Sequence, residues 1–483
     1  MLFNSLDFAI FLPVVFLLYW FITNKNLKLQ NFLIVVASYF FYGWWDWRFL
    51  SLILFSTIVD YTVGLGLLKQ ENQLKRKILL LASIIVNLGF LGFFKYYNFF
   101  LDNFISAFSF FGAEIKANSL NIILPVGISF YTFQTLSYSI DVYKRKLEPT
   151  KDFIAFSAFV SFFPQLVAGP IERATNLLPQ FYNKRTFDYS KAVDGMRQIL
   201  WGLFKKIVIA DNCAEYANQI FNNSADMNGS TLVLGALFFT FQIYGDFSGY
   251  SDIAIGTARL FGFDLMRNFA FPYFSRDIAE FWRRWHISLS TWFRDYVYIP
   301  LGGSRGGIWM KIRNTFIIFI VSGFWHGANW TFIVWGALNA IYFLPLLLTN
   351  NNRNNLEIVA KGKVLPTFKE FVSILLTFGL TVFTWIFFRS ENIVQAFSYI
   401  SGIFSKSLFE IPEFSGMGKA LTTIILVVIF VLIEWWGRDS QYAIAKIGLG
   451  WKKPLRYAIY CLIILSIMCF GNFNENQFIY FQF

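Results

Sequence analysis

The sequence predicts an all-α polytopic membrane protein, and three observations carry that prediction. Of its 483 residues, 56% are hydrophobic and 21% aromatic, with Phe at 62 positions. Only 14% are charged, against about 25% in soluble domains, and the mean hydropathy is +0.51. The uncharged runs approach about twenty residues, the length a helix needs to cross a bilayer. The formal charge of +12 does not point to nucleic acid. The basic residues sit in short connections between apolar segments, as cytoplasmic loops do.

Spans are expected near Phe8–Ile22, Phe32–Trp45, Phe49–Leu68 and Ile78–Phe94. The first follows Asp7 without a basic leader or small-residue cleavage site, so it reads as a retained span. The connections 24–28 and 69–77 are basic, whereas 44–48 is aromatic, which places the N-terminus outside the cytoplasm. Asp60 falls inside the third span, either as a partner for another polar group or as a cap. Cys213, Cys461 and Cys469 form no metal-ligand spacing with the histidines, so the sequence points to no metal site.

The segment Ile122–Ile140 carries Thr132, Gln134, Thr135, Ser137, Tyr138 and Ser139. It is too polar for lipid contact and is expected to be re-entrant or to line a cavity. Pro164, Gly169 and Pro170 then break any continuous helix. An amphipathic stretch over Tyr189–Lys206 leads into an expected span near Ile207–Phe221. The next apolar run, Thr231–Gly249, is expected to end in a polar cluster holding Asp246 and Asp252. Those two carboxylates read either as structural hydrogen-bonding groups or as contacts to a donor substrate.

Thr315–Leu348 contains no Asp, Glu, Lys or Arg, yet it holds His326, one of two histidines in the chain. At about 1.5 Å per residue, His326 would lie roughly 17 Å in from Thr315, near the middle of a bilayer core of about 30 Å. The stretch is too long for one span, and Gly323 and Gly327 flank the histidine, so two segments, or one bent one, are expected to meet there. An ionisable group at that depth marks a functional site unless a neighbouring helix simply satisfies it. A neutral imidazole in that position is suited to general-base work.

Residues 267–307 read as an amphipathic helix at the membrane surface. Trp282, Trp285, Leu289, Trp292, Phe293 and Tyr296 recur at helical spacing, interleaved with Arg283, Arg284 and Arg294. His286 sits among them. The arginines are suited to gripping the phosphates of a nucleotide-like donor, and equally to lipid headgroups. The glycine pairs at 302–303 and 306–307 mark a turn; the Lys and the strand–helix context of a phosphate-binding loop are missing. Further spans are expected near Phe371–Phe388, Leu421–Trp436 and Leu455–Phe470, with the basic connections 350–369 and 438–456 inside. The aromatic tail then lies outside the cytoplasm and packs back onto the membrane domain. The expected organisation is 1–112 as N-terminal membrane helices, 113–349 as a core holding both histidines, and 350–483 as C-terminal helices and tail.

The stretches WRRWHISLSTWFRDYVYIPLGG (282–303) and SGFWHGANWTFIVWG (322–336) resemble the two signature regions of the membrane-bound O-acyltransferase (MBOAT) family. SFYTFQTLSYSIDVY (129–143), FFPQLVAGPIER (162–173) and FIYFQF (478–483) are similar to its bacterial branch, which acetylates alginate and peptidoglycan or serves teichoic-acid D-alanylation. The resemblance implies about 11–14 membrane helices, re-entrant segments included, around a central funnel. It implies His326 as catalytic, His286 as the second signature polar residue, and Tyr480, between Phe478 and Phe483, as a transient acyl carrier.

The same resemblance implies a cytoplasmic thioester donor, acetyl-CoA or another acyl thioester, with no bound cofactor. It also implies a polysaccharide acceptor and an extracytoplasmic esterase-like (SGNH) partner beside the lipid bilayer. Acylation of a lipid or lysolipid, and non-enzymatic transport of a glycan, remain alternatives. An extracytoplasmic tail tyrosine has no obvious use in the first, and no inverted repeat of broken helices supports the second.

Overall fold

A computed structural model describes residues 1–111, 118–167, 169–473 and 478–479. All regular structure among these residues is helical. Seven helical stretches are long and apolar enough to cross a membrane: Leu27–Lys69, Gln73–Phe110, Gly229–Leu260, Trp330–Leu348, Phe368–Arg389, Met417–Trp436 and Lys453–Phe470. The larger number expected from sequence includes elements that are shorter or broken. Leu6–Ile22, Phe153–Leu166 and Ile393–Ile403 are short apolar helices, and Leu27–Lys69 comprises two helices, Leu27–Asp46 and Leu50–Lys69.

The chain divides into two compact units. The first comprises Met1–Ala192 and Thr257–Met266. Here the helix expected from Ile122 begins only at Ile128, because Gly127 adopts a left-handed conformation (φ 73°) that a helix cannot include. Its Thr132, Gln134, Thr135, Ser137, Tyr138 and Ser139 are all buried against protein, in line with their polarity. Asp60 is a polar partner and not a cap. Its carboxylate accepts from Ser139 Oγ at 2.8 Å, Asn87 Nδ2 at 2.9 Å and Ser83 Oγ, tying three helices together. Such hydrogen bonds replace the hydrophobic effect as helix glue where lipid is the solvent.

The second unit comprises Val193–Gly256 and Arg267–Phe483. The stretch expected as a span over Ile207–Phe221 is helical but is not among the helices long and apolar enough to cross a membrane. A wide π turn over Phe204–Ala210 runs into the Asp211–Asn222 helix, and Lys206 and Asp211 form a buried ion pair at 2.8 Å. The Gly229–Leu260 helix does not end at the polar cluster but continues through it. Its carboxylates tolerate the interior because each meets a lysine of the π turn. Asp246 Oδ1 lies 2.9 Å from Lys206, and Asp252 Oδ2 lies 2.6 Å from Lys205. Paired charges of this kind are the form in which ionised groups survive burial.

Residues 267–307 do not form one amphipathic surface helix. Two short helices, Ile278–Arg284 and Ile287–Phe293, are separated at Trp285 and His286, and His286 is left-handed (φ 43°). Trp285, Leu289, Trp292 and Phe293 are buried in protein, so the aromatic periodicity marks a core face. Gly302 and Gly303, at φ 101° and 57°, make the expected turn.

Candidate active site

His326 is the last residue of the Ile308–His326 helix. Gly327 is extended, and the next helix, Trp330–Leu348, is capped by Asn329, whose side chain accepts the Thr331 N–H at 3.0 Å. The two segments expected from sequence therefore meet at the histidine. They also cross at backbone contact. A Cβ on Gly323 would lie 2.2 Å from the Phe332 carbonyl oxygen, and one on Gly336 would lie 2.3 Å from that of Phe319. The elbow is thus held by packing that only glycine permits.

The His326 ring is buried among three aromatic rings, with centroids 4.9 Å from Trp325, 5.2 Å from Trp335 and 5.2 Å from Phe388. Trp325 is shared with the second histidine, whose ring lies 6.1 Å from it. His286 is buried beside Phe247, centroid to centroid 4.6 Å, and its Nδ1 lies 3.1 Å from Oδ1 of Asn268. Burial pushes its protonation down to about 3, so the ring is neutral at physiological pH. A non-glycine residue in the left-handed region is held there by its surroundings, a feature that concentrates at functional sites.

Next to the elbow lies a cavity of about 320 Å³ whose lining includes Arg283, Arg294, Arg353, Thr315, Phe319 and Ser322. Ser322 and His326 are four residues apart and so share a helix face. Trp282 also lines the cavity, and its ring is 5.6 Å from Trp335, which itself touches His326. The cavity therefore joins cationic and apolar wall, and packed tryptophans connect that wall to the histidine. Arg283 and Arg294 line the cavity, Arg283 donating to the Asn352 and Asn355 carbonyls and Arg294 paired with Asp295 at 2.7 Å, whereas Arg284 points to a different partner. It pairs with buried Glu280 at 2.8 Å and does not line the cavity. Neither Asp246 nor Asp252 lines it; each is occupied by its lysine.

The described part of the tail, Phe478 and Ile479, is buried. The Ile479 N–H donates to Asp246 Oδ2 at 2.8 Å, and the Phe478 ring packs 5.6 Å from Phe247 and 4.5 Å from Tyr250. Phe247 thus touches both the tail and His286. Tyr480 and Phe483 lie outside the described residues.

Sequence reading missed Asn268, Lys205, Lys206 and Arg353. Lys205 and Lys206 carried a usable signal. Two lysines entering an apolar run, with two aspartates inside another, are opposite charges that must find each other. Arg353 sits in a polar stretch and Asn268 in an aromatic one, and nothing local distinguishes either.

A buried histidine on a helix elbow, a second buried histidine sharing its tryptophan, and an arginine-lined cavity make up the candidate site. The chain belongs to the membrane-bound O-acyltransferase family, whose profile matches residues 39–388. It is a multi-pass bacterial inner-membrane enzyme of the O-acyltransferase class. It is 38% identical to a probable alginate O-acetylase, AlgI, of Pseudomonas putida, over 507 aligned residues and 100% of both chains. A peptidoglycan O-acetyltransferase of Helicobacter pylori is 33% identical, with 100% of this chain and 98% of that protein covered. A teichoic acid D-alanyltransferase of Streptococcus thermophilus is 32% identical over 45% of this chain and 55% of its own.

Proposed function

We propose that the protein O-acetylates a cell-surface polysaccharide, taking the acetyl group from a thioester such as acetyl-CoA. The observation that carries this reading is the position of His326, at the end of the helix face that lines the arginine-rich cavity. Arg283, Arg294 and Arg353 would hold donor phosphates, and the Thr315–Ser322 face would lead the acyl arm toward the histidine. Acetyl is favoured because alginate and peptidoglycan O-acetyltransferases are full-length relatives.

In the proposed reaction an acceptor oxygen attacks the thioester carbonyl, the C–S bond breaks, and an ester forms. His326 takes the hydroxyl proton and returns it to the departing thiolate. General-base assistance of this kind is worth about 10²–10⁴-fold. Tyr480 is the proposed first acceptor, since a phenol of pKa about 10 ionises more readily than a sugar hydroxyl. Burial of Phe478 and Ile479 beside Phe247 supports a tail held at the site. The acetyl ester would then pass to the polysaccharide through an extracytoplasmic esterase-like partner. His326→Ala should abolish acetyl transfer without lowering the yield of folded protein; transfer that survives would remove the histidine from the mechanism.

A further inference from the structure

We infer that Asn268 is a positioning residue that fixes the tautomer of His286, leaving Nε2 as a bare hydrogen-bond acceptor. For its catalytic consequence the inference rests on the transfer reaction above; the tautomer itself does not. The amide of Asn268 is fully buried. Its Nδ2 donates to Ser251 Oγ at 3.1 Å. Its Oδ1 receives the backbone N–H of Ser288 at 3.3 Å and the hydroxyl of Ser288 at 2.9 Å.

A backbone N–H can only donate, so the atom facing it must be the oxygen. Reversing the amide would set two donors against each other. That same oxygen lies 3.1 Å from His286 Nδ1. Carrying no hydrogen, it can only accept, and the Ser288 hydroxyl, 3.5 Å from Nδ1, gives its proton to the same oxygen at 2.9 Å, so Nδ1 bears the ring proton. A neutral imidazole has one such proton, and Nε2 therefore has none. Nε2 is buried with no hydrogen-bond partner among the described residues.

The backbone locks the same arrangement. The Ile287 N–H donates to the Asn268 carbonyl at 2.9 Å, and the Ser290 N–H donates to the His286 carbonyl at 3.0 Å, holding His286 left-handed between them. A buried acceptor left unpaired is costly, so the site gains when a donor arrives. His286 is thereby assigned to accept a hydrogen bond from an incoming hydroxyl, and not to donate one to a developing oxyanion.

The chain has two histidines, which makes the tautomer directly measurable. Protein labelled with ¹⁵N-histidine, in lipid bilayers, would be examined by solid-state NMR, with His286→Gln assigning the signals. The wild type should show His286 protonated at Nδ1 and bare at Nε2. Asn268→Leu should lose that signature and slow transfer by about 100-fold, while Asn268→Asp, which keeps an acceptor, should retain both. An Nε2–H signal in the wild type, or an unchanged spectrum in Asn268→Leu, would overturn the inference. The wild-type spectrum decides even if the leucine variant does not fold. Should the wild type show the expected tautomer but transfer no acyl group, the transfer reading fails and the tautomer assignment stands.

Discussion

The peptide N–H of Ile479 donates to Oδ2 of Asp246 at 2.8 Å, so the residue preceding Tyr480 is bound to a charged group in the interior. Asp246 is itself held by Lys206, and Lys206 by Asp211. This chain of ions gives the carboxylate a task that needs no substrate: it anchors the C-terminal tail. Phe247, the next residue, lies between Phe478 and the His286 ring. The tail and the candidate site thus share one aromatic side chain.

Replacing Ile479 by Pro removes the N–H that Asp246 accepts. A hydrogen bond to a charged group contributes about 1.5–3 kcal/mol, so the docked tail should be populated roughly 10–100-fold less. Carboxypeptidase digestion of the purified protein should then clip Ile479→Pro faster than wild type, and Ile479→Leu should behave like wild type. Equal clipping of all three proteins would show that the hydrogen bond does not hold the tail.

Lys206→Met leaves Asp246 and Asp211 buried without their common lysine. Breaking a buried pair by removing one partner costs about 3–5 kcal/mol. Thermal unfolding in detergent should show a marked drop in Tm, partly restored by adding Asp246→Asn. A Tm unchanged within error would mean the pair is not stabilising in the folded protein.

Gly336→Val forces a side chain into the Phe319 carbonyl at the helix crossing. Backbone cannot yield as a flexible side chain can, and overpacking of this kind costs about 1–3 kcal/mol or more. Transfer activity should fall with stability, since the crossing sets the position of His326. Full activity at normal Tm would count against the elbow as the device that places it.

The arginines should separate by function. Arg283→Leu and Arg353→Leu should raise KM for the thioester about tenfold or more with kcat little changed, each losing a charge-assisted contact. Arg284→Leu should instead lower Tm, because Glu280, buried between Arg276 and Arg284, loses one of its two arginines. A KM effect confined to Arg284→Leu would reverse the assignment.

Much of this architecture is legible in the sequence, for physical reasons that can be named. The Thr315–Leu348 stretch predicts its own elbow, because glycines beside a lone histidine in an uncharged run leave few alternatives. The buried Ile128–Tyr143 helix follows from its polarity alone. Residues 267–307 misled because tryptophan spacing is the same for a core face and a membrane-surface face. Their break at His286 depends on Asn268, a partner 18 residues away that no periodicity reveals. The continuation of the Gly229–Leu260 helix through its polar cluster is hidden for a related reason: charges look terminal until their lysines are found.

If His326 drives acyl transfer onto the tail, its removal must leave the tail unmodified. The most direct measurement is the intact mass of purified protein after incubation with acetyl-CoA, wild type against His326→Ala, with the adduct mapped by proteolysis. One acetyl group is expected on Tyr480 of the wild type and none on the variant. An adduct of equal extent on both proteins would contradict it.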